Sequence, residues 1–556
     1  MKEKNEKEIE EKKENKIEEK DENQNKPKTV LNTPNSLKFY EFIDKEISSN
    51  IISITLLLDF LILFIKILVG QYGYSGEKDP PNYGDFEAQR HWMEITLYFK
   101  PKEWYTNSEL KKYWPLDYPP LSGYHSYIFG KILRYFMPES VEYKYSRGYE
   151  TKIFKNVMRF FVLISDFFIF HLAIHFFCYK IFISDKIKKN KKPQYLNYII
   201  IHILILLNPL MIIVDHGHYQ FNNVMLGFFV FAVYFLLSDK YFFSIIFLSL
   251  CVNYKQMGLY YALLFPFYVI KKLFFSDKNK IISFSLTSIL YTIFYALTTI
   301  MINGIIYLPW IRRKNLNDVF NRIFPINRGI FEDKVATFWC MVNIFIKLKD
   351  KIGNQNLFKL SLIFTILGTL IPLYAIFKSS KINKKICIQC FFIISLDFYL
   401  FSFHVHEKTI IIPFLAYLIN LPYMKNILPS FTLIGMFSLF PLLKRENQIV
   451  SYYLINFIFY FFAKQGDLIL SRNKKKNENK LIYLFIELFI GIIMMGYHAA
   501  ELLIPPPQKY PWFYPMINAA FCFCFFFGVF LYSNYDLIKT IFEKNSKTEK
   551  LKEKNY

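Results

Sequence analysis

Apolar residues in this chain come in continuous blocks, not at alternating positions. Blocks approaching the ~20 residues that a helix needs to cross a bilayer recur from residue 49 to residue 535. They predict spans at about 49–70, 153–182, 197–214, 223–238, 241–252, 258–270 and 281–302. Further spans follow at about 357–377, 386–402, 409–421, 427–443, 449–464, 481–498 and 513–535. A β-barrel would show alternation, so the expected class is an all-α polytopic membrane protein with about fourteen transmembrane helices. The run "VATFWCMVNIFIKL" (335–348) is too short to cross. It is expected to be re-entrant or interfacial, because counting it as a span would invert every later loop.

The polar positions between blocks give an orientation. "DKIKKNKK" (185–192), "KKLFFSDKNK" (271–280), "KSSKINKK" (378–385) and "SRNKKKNENK" (471–480) are short and strongly basic. Basic short loops stay cytosolic. The threading above puts all four on one side, together with both termini. Three regions result: a charged, disordered cytosolic N-terminus at 1–48, a multispanning domain at 49–535, and a Lys-rich cytosolic tail at 536–556. The domain opens with a large first loop on the other side, at about 71–152. The ending "KEKNY" fits a dilysine retrieval signal of the early secretory pathway.

Composition sharpens this in two ways. Hydrophobic residues make up 53% of the 556 and aromatics 20%, too apolar for an ordinary soluble chain. The net charge of +23 resides in the basic loops and tail, so it signals orientation and not nucleic-acid binding. The seven cysteines lie in or beside apolar blocks. The lone CxxC, Cys387 and Cys390, has no second pair and is expected to be packing.

On the face opposite the basic loops lie 71–152, "DHGHYQFN" (215–222), 303–334, "HVHEK" (404–408) and "YHAAELLIPPPQKYPWFYP" (497–515). Seven of the ten histidines are there. In "GDFEAQRHWMEIT" (84–96) a helix starting near Asp85 would put Glu87, Arg90, His91 and Glu94 along one side. Asp85 would sit at the helix N-terminus, where the dipole favours an anion. Spacing alone allows either an N-cap with a solvated charged face or a site. Asp117, before Tyr118, Pro119 and Pro120, reads as a turn residue. Asp215, His216 and His218 contain an HxH pair, but no third metal ligand stands at a telling spacing. They could instead bind an anionic or sugar ligand. His404, His406, Glu407 and Lys408 sit at the mouth of a span, where ionisable groups are costly and usually have a task or a partner. Segment 303–334 has six Arg and Lys against three acids, which would suit a phosphate or anionic head group. A carboxylate, several cations and many aromatics on one face suit a lipid-linked phosphate donor and a sugar acceptor. They also suit an anion or lipid transporter. A transporter predicts paired repeats, and none is visible in the two halves.

Six stretches, "GDFEAQRHWMEIT", "YWPLDYPPLSGYHSYIFG", "DHGHYQFN", "NYKQMGLYYA", "RIFPINRGIFEDKVATFWC" and "FSFHVHEKTI", occur in order. On them the chain resembles the glucosyltransferases of the asparagine-linked glycosylation pathway, from about residue 49 to 535. "AQRHW" (88–92), "LSGYHS" (121–126) and Gly217 resemble the enzymes adding the first glucose, not the sibling that adds the second. Pro115 departs from the pattern, where glycine is more usual.

The resemblance implies a C-type glycosyltransferase fold in the endoplasmic reticulum membrane with a lumenal active site. It implies transfer of glucose from dolichyl phosphate glucose to the nine-mannose dolichyl-diphosphate oligosaccharide, with inversion and an α-1,3 product. It makes Asp85 the general base, with Glu87 the second choice. His404, His406, Lys408 and Arg328 become candidates for the donor phosphate. Arg90, His91, Asp215 and His218 join them as candidates for binding the donor phosphate or the substrate, and Arg90 and His91 could instead orient Asp85 or the acceptor. Trp92, Trp104, Trp114 and Tyr118 are candidates for stacking on sugars. No cofactor is expected, and cations can take the place of a metal.

Overall fold

A computed structural model describes residues 34–553 apart from 82, 108–111, 276–283, 326–328, 331–333, 380–383, 424–426 and 471–479. A helix forms at each of the fourteen apolar blocks. Among the described residues seven are long and apolar enough to cross a membrane, including Ile51–Val69, Lys152–Lys188 and Asn354–Lys378. An eighth is added if Tyr195–Leu206 and Pro209–Gly217, bent by 49°, form one span. By length and composition alone, seven helices among the described residues qualify as spans, or eight with the bent pair, and this measure does not reach the expected fourteen. The remaining blocks make shorter or more polar helices. One of them, Lys384–Phe401, is buried along nearly its whole length. The outer helices shield it from lipid, so it need not be uniformly apolar.

The first span shows what faces the bilayer. Leu57, Phe60 and Phe64 of Ile51–Val69 are each more than half exposed, a stripe that only lipid or another protein could cover favourably. The opposite side of the same helix buries Asp59 and Lys66.

The run 335–348 contains only the eight-residue helix Phe338–Phe345. At 1.5 Å per residue this is about 12 Å long, far short of the hydrocarbon thickness. Trp339 anchors it, its indole N–H donating to Phe401 O at 2.7 Å.

Both ends differ from expectation. Residues 34–49 are helical, and Asp44 Oδ1 accepts from Leu196 N at 2.8 Å, so the unstructured N-terminus expected over 1–48 does not extend that far. Tyr40, Ile43 and Ile47 pack against the core and supply the apolar face. Residues 1–33 lie outside the described residues. The last helix runs Phe513–Glu553 and buries Leu537 and Ile541, so the domain extends past 535.

The first large loop folds on two helices, Asp85–Tyr98 and Pro120–Phe136. Pro119 and Pro120 stand at the N-cap and first position of the second, where a missing N–H costs nothing. A small separate core of Trp92, Trp104, Tyr105, Leu116, Trp310 and Ile323 joins this loop to segment 303–334. Two segments assigned to the same face by charge parity are thus packed together.

Candidate active site

The Asp85–Tyr98 helix starts where two glycines let the chain fold back on itself. Gly76 has φ +77°, and a Cβ there would stand 1.8 Å from Gly84 N. A Cβ on Gly84 would stand 2.5 Å from Ser75 C. This clasp brings Ser75 Oγ to within 3.1 Å of Asp85 N, as its acceptor. Gly84 is the N-cap, so the Asp85 side chain is not used as one.

Asp85 instead points to three donors from two other elements. His218 Nε2 at 2.6 Å, Gln220 Nε2 at 2.7 Å and Lys408 Nζ at 2.6 Å all reach Oδ2. Oδ1 takes no hydrogen bond among the described residues. Burial alone would raise the Asp85 pKa, but Lys408 and His218 hold it well below the usual carboxylate range. His218 Nδ1 lies 2.6 Å from Glu446 Oε1. A carboxylate oxygen at each ring nitrogen favours the imidazolium form of His218. Burial works against that charge, and Glu446 and Asp85 outweigh it, so its pKa is raised. Lys408, also 3.0 Å from His218 Nε2, is raised in turn, chiefly by Asp85 acting against its burial.

A second layer fixes Gln220. Lys255 Nζ donates to Gln220 Oε1 at 2.7 Å and to Asn222 Oδ1 at 2.8 Å, and lies over the Tyr118 ring. Burial brings Lys255 down to about 8, with Asp215 opposing. Asp215 accepts from Asn222 Nδ2 at 2.8 Å and from Asn223 N at 2.6 Å, tying down the start of the next helix.

Asp85 lies on the wall of a cavity of about 610 Å³. His404, His406 and Lys408 line it too, with Trp92, Trp114 and Tyr118. Its wall continues over Tyr260, Phe398, Ile411 and Ile412, which belong to the ends of helices in the bundle. One wall is thus charged and aromatic, and another is apolar. His404 has φ +62°, a conformation uncommon outside glycine, and its backbone N–H donates to Ile330 O at 2.8 Å.

Several sequence expectations change here. Glu87, Arg90 and His91 do not line the cavity. They are buried behind it with Glu94, so the charged side of this helix is not solvated. Arg90 donates to Glu87 through Nε at 2.8 Å and Nη2 at 2.7 Å, and to Glu94 Oε2 at 2.8 Å. It also reaches Ser140 O and Ser146 Oγ, some fifty residues on in sequence. Glu94, buried but facing His91 and Arg90, is held down to about 2. This cluster pins the helix to the far side of the loop. Asp215 is buried and reaches the site only through Asn222 and Lys255. Trp104 is in the small core, its N–H on Phe99 O at 3.1 Å, and not on the cavity wall. Asp117, expected as a turn residue, does line the cavity. Arg328 lies outside the described residues. His216 and His218 form no metal pair: His216 Nε2 meets Asp166 Oδ2 at 3.0 Å while His218 faces Asp85.

Removing Arg90 would leave Glu87 buried without its cation and Glu94 with His91 alone, and breaking such a buried pair costs about 3–5 kcal/mol. Arg90→Gln is therefore expected to lower the thermal midpoint of the detergent-solubilised chain by several degrees. Arg147→Gln, on a more open part of the same loop, serves as the control.

Three residues of the site were not anticipated: Gln220, Lys255 and Glu446. The parity that exposed the other segments also places 253–257 and 444–448 on the same face, and both are short enough to pass as mere turns.

A profile described as the ALG6, ALG8 glycosyltransferase family matches residues 62–533. The chain is 36% identical over 504 residues to a probable dolichyl pyrophosphate Man9GlcNAc2 alpha-1,3-glucosyltransferase of Dictyostelium discoideum, covering 87% of this chain and 95% of that one. It is 35% identical over 522 residues to the dolichyl pyrophosphate Man9GlcNAc2 alpha-1,3-glucosyltransferase of Saccharomyces cerevisiae, covering 88% and 91%. To a probable enzyme of the same name from Arabidopsis thaliana it is 35% identical over 487 residues, covering 85% and 87%.

Proposed function

The chain belongs to the ALG6, ALG8 glycosyltransferase family, and from that premise we propose that it is the alpha-1,3-glucosyltransferase that adds the first glucose to Man9GlcNAc2-diphosphodolichol. The donor is dolichyl phosphate glucose, and the site faces the endoplasmic reticulum lumen with both termini cytosolic. The observation that carries the reading is the Asp85 carboxylate, held by His218, Gln220 and Lys408 on the wall of a cavity that also presents aromatic and apolar surfaces.

In an inverting transfer the acceptor hydroxyl attacks the anomeric carbon from the side opposite the phosphate. The new C–O bond forms as the bond from the anomeric carbon to the phosphate oxygen breaks, and the hydroxyl proton passes to a base. Asp85 is that base. It is ionised throughout the neutral range, and Oδ1 is available for the proton. Dolichyl phosphate is a weakly basic leaving group, so it needs no general acid. It gains negative charge as it departs, and fixed cations stabilise that charge. His404, His406 and Lys408 are suited to this by their place on the cavity wall. The apolar wall accepts the first isoprene units of the donor, and Trp92, Trp114 and Tyr118 flank the acceptor sugar.

Lys408 has two claims on it. Without donor it pairs with Asp85 and weakens the base. A phosphate entering the cavity competes for Lys408, and its departure from Oδ2 would raise the basicity of Asp85 at the moment of use.

The pH dependence follows from the site's charges. Asp85 has a depressed pKa, so its ionised contribution is intact above ~4 and disappears only in strong acid. His218 has a raised pKa, so its contribution is complete below ~6.5 and is lost as pH rises through the raised value. Lys255, at about 8, titrates on the same limb. Above about pH 4, wild-type transfer should decline on the alkaline side only. His218→Gln should be slower by about tenfold, with its remaining alkaline decline centred near 8. A pH profile of kcat/KM for the donor checks this, and an unchanged profile in the variant would remove His218 from the site.

A further inference from the structure

The three histidines outside the segments assigned to the lumenal face converge on one aspartate inside the bundle. Asp59 is one residue from the midpoint of the Ile51–Val69 span, and its side chain is 2% exposed. His175 Nε2 lies 2.6 Å from Oδ2, and His202 Nε2 and His171 Nδ1 each lie 3.0 Å from Oδ1. A carboxylate and three imidazoles at bilayer depth are costly and are seldom kept without a task. None of them contacts the cavity described above.

We infer that Asp59, His175 and His202 form an intramembrane binding site for a divalent transition metal of the zinc class. Their ligand atoms all lie within 4.8 Å of one another. Bonds of 2.0–2.1 Å in a tetrahedron require ligand atoms about 3.3 Å apart, so the 2.6 and 3.0 Å His–Asp contacts would open by under 1 Å, and wider pairs of the set, within 4.8 Å, would close by at most about 1.5 Å. Two imidazoles and one carboxylate suit zinc, whereas magnesium and calcium take oxygen donors. Three protein ligands leave the fourth position for water.

Groups around the ligands fit the same reading. Tyr198 OH holds His175 Nδ1 at 2.8 Å, leaving Nε2 for the metal, and His171 Nδ1 holds Asp59. Such outer contacts fix the tautomer and orientation of metal ligands. His171 and His175 are four residues apart on one helix, a spacing that turns both rings to one side. The turn Asp166–His171 is π-helical, a local rewinding common at functional sites. The ligands come from three helices that adjoin in the bundle, so the metal would staple them. His171 also touches Lys66 Nζ at 2.9 Å, and Lys66 pairs with Asp166, which holds His216 of the hairpin that carries His218. The staple therefore braces the element that positions Asp85, without touching substrate.

The test is metal content of the full-length chain, purified in detergent with a tag free of histidine and without chelator. Roughly one zinc per chain is expected in the wild type. The His175→Gln, His202→Gln double variant should retain less than a tenth of that. After chelation, Co²⁺ added to the wild type should give the visible absorption of a tetrahedral site, and Zn²⁺ should restore its thermal midpoint. If the double variant does not fold, the wild-type Co²⁺ spectrum decides alone. A wild type that takes up neither metal, or a folded variant that holds as much as wild type, overturns the site and leaves Asp59 a purely hydrogen-bonded cluster.

Discussion

Asp85→Asn should leave the chain at normal abundance and reduce glucosyl transfer by about 10³-fold, within the range that general bases contribute. The substitution keeps size and shape. It also keeps an oxygen for at least one of the three donors now on Oδ2. What it removes is the capacity to take a proton and the negative charge opposite Lys408 and His218. The loss should fall on kcat, because neither the apolar wall nor the aromatic residues are altered. Asp85→Glu should recover only part of the rate, since an extra methylene moves the carboxylate off the place set by the Ser75 to Gly84 clasp. Membranes carrying each variant, assayed with labelled donor, read this directly. Full activity of the asparagine variant would remove Asp85 as the base.

The second large effect is expected at Lys408. Lys408→Gln should cost about 10²–10³-fold in kcat, the scale seen when a preorganised group that stabilises transition-state charge is lost. Two opposing consequences are built into this site. Losing the ammonium relaxes Asp85 towards an ordinary carboxylate and makes it a better base. It also strips the departing phosphate of a cation in a water-poor cavity. The second outweighs the first if the phosphate carries the growing charge. Lys408→Arg should retain substantially more activity than Lys408→Gln. Equal loss in both would mean that Lys408 serves only to hold Asp85 in place. Donor analogues of higher leaving ability should narrow the gap between Lys408→Gln and wild type, but not between Asp85→Asn and wild type.

Much of this was legible in the chain. Block lengths and Lys-rich loops predicted a helical membrane protein. Gly84 before Asp85 placed a helix start there, and the structure has it at that residue. The family motifs nominated Asp85, His404, His406 and Lys408, which the fold brings to one cavity. What escaped was everything that depends on distant chain packing. Glu87, Arg90, His91 and Glu94 have the spacing of a solvated helix face, and it is contacts from elsewhere in the loop, Ser140, Ser146 and Lys144 with Tyr113, that turn that face inward. Glu446 lies 228 residues from its partner His218, and no local pattern links "RENQ" to a histidine hairpin. The same blindness hid Asp59. A lone acid inside an apolar block reads as a defect until three histidines from two other helices are seen around it. Length and hydropathy confirm only part of the expected span count, for a different reason. Helices such as Lys384–Phe401 are enclosed by their neighbours, so length and hydropathy no longer report whether they cross.

The most direct test is product size. Purified wild-type chain is incubated with dolichyl phosphate glucose and Man9GlcNAc2-diphosphodolichol, and the released oligosaccharide is sized and digested with an α-1,3-specific glucosidase. The account predicts a gain of one hexose that the glucosidase removes, and no such gain with Asp85→Asn. Transfer only onto an acceptor that already carries one glucose, or none onto any lipid-linked oligosaccharide, would contradict it.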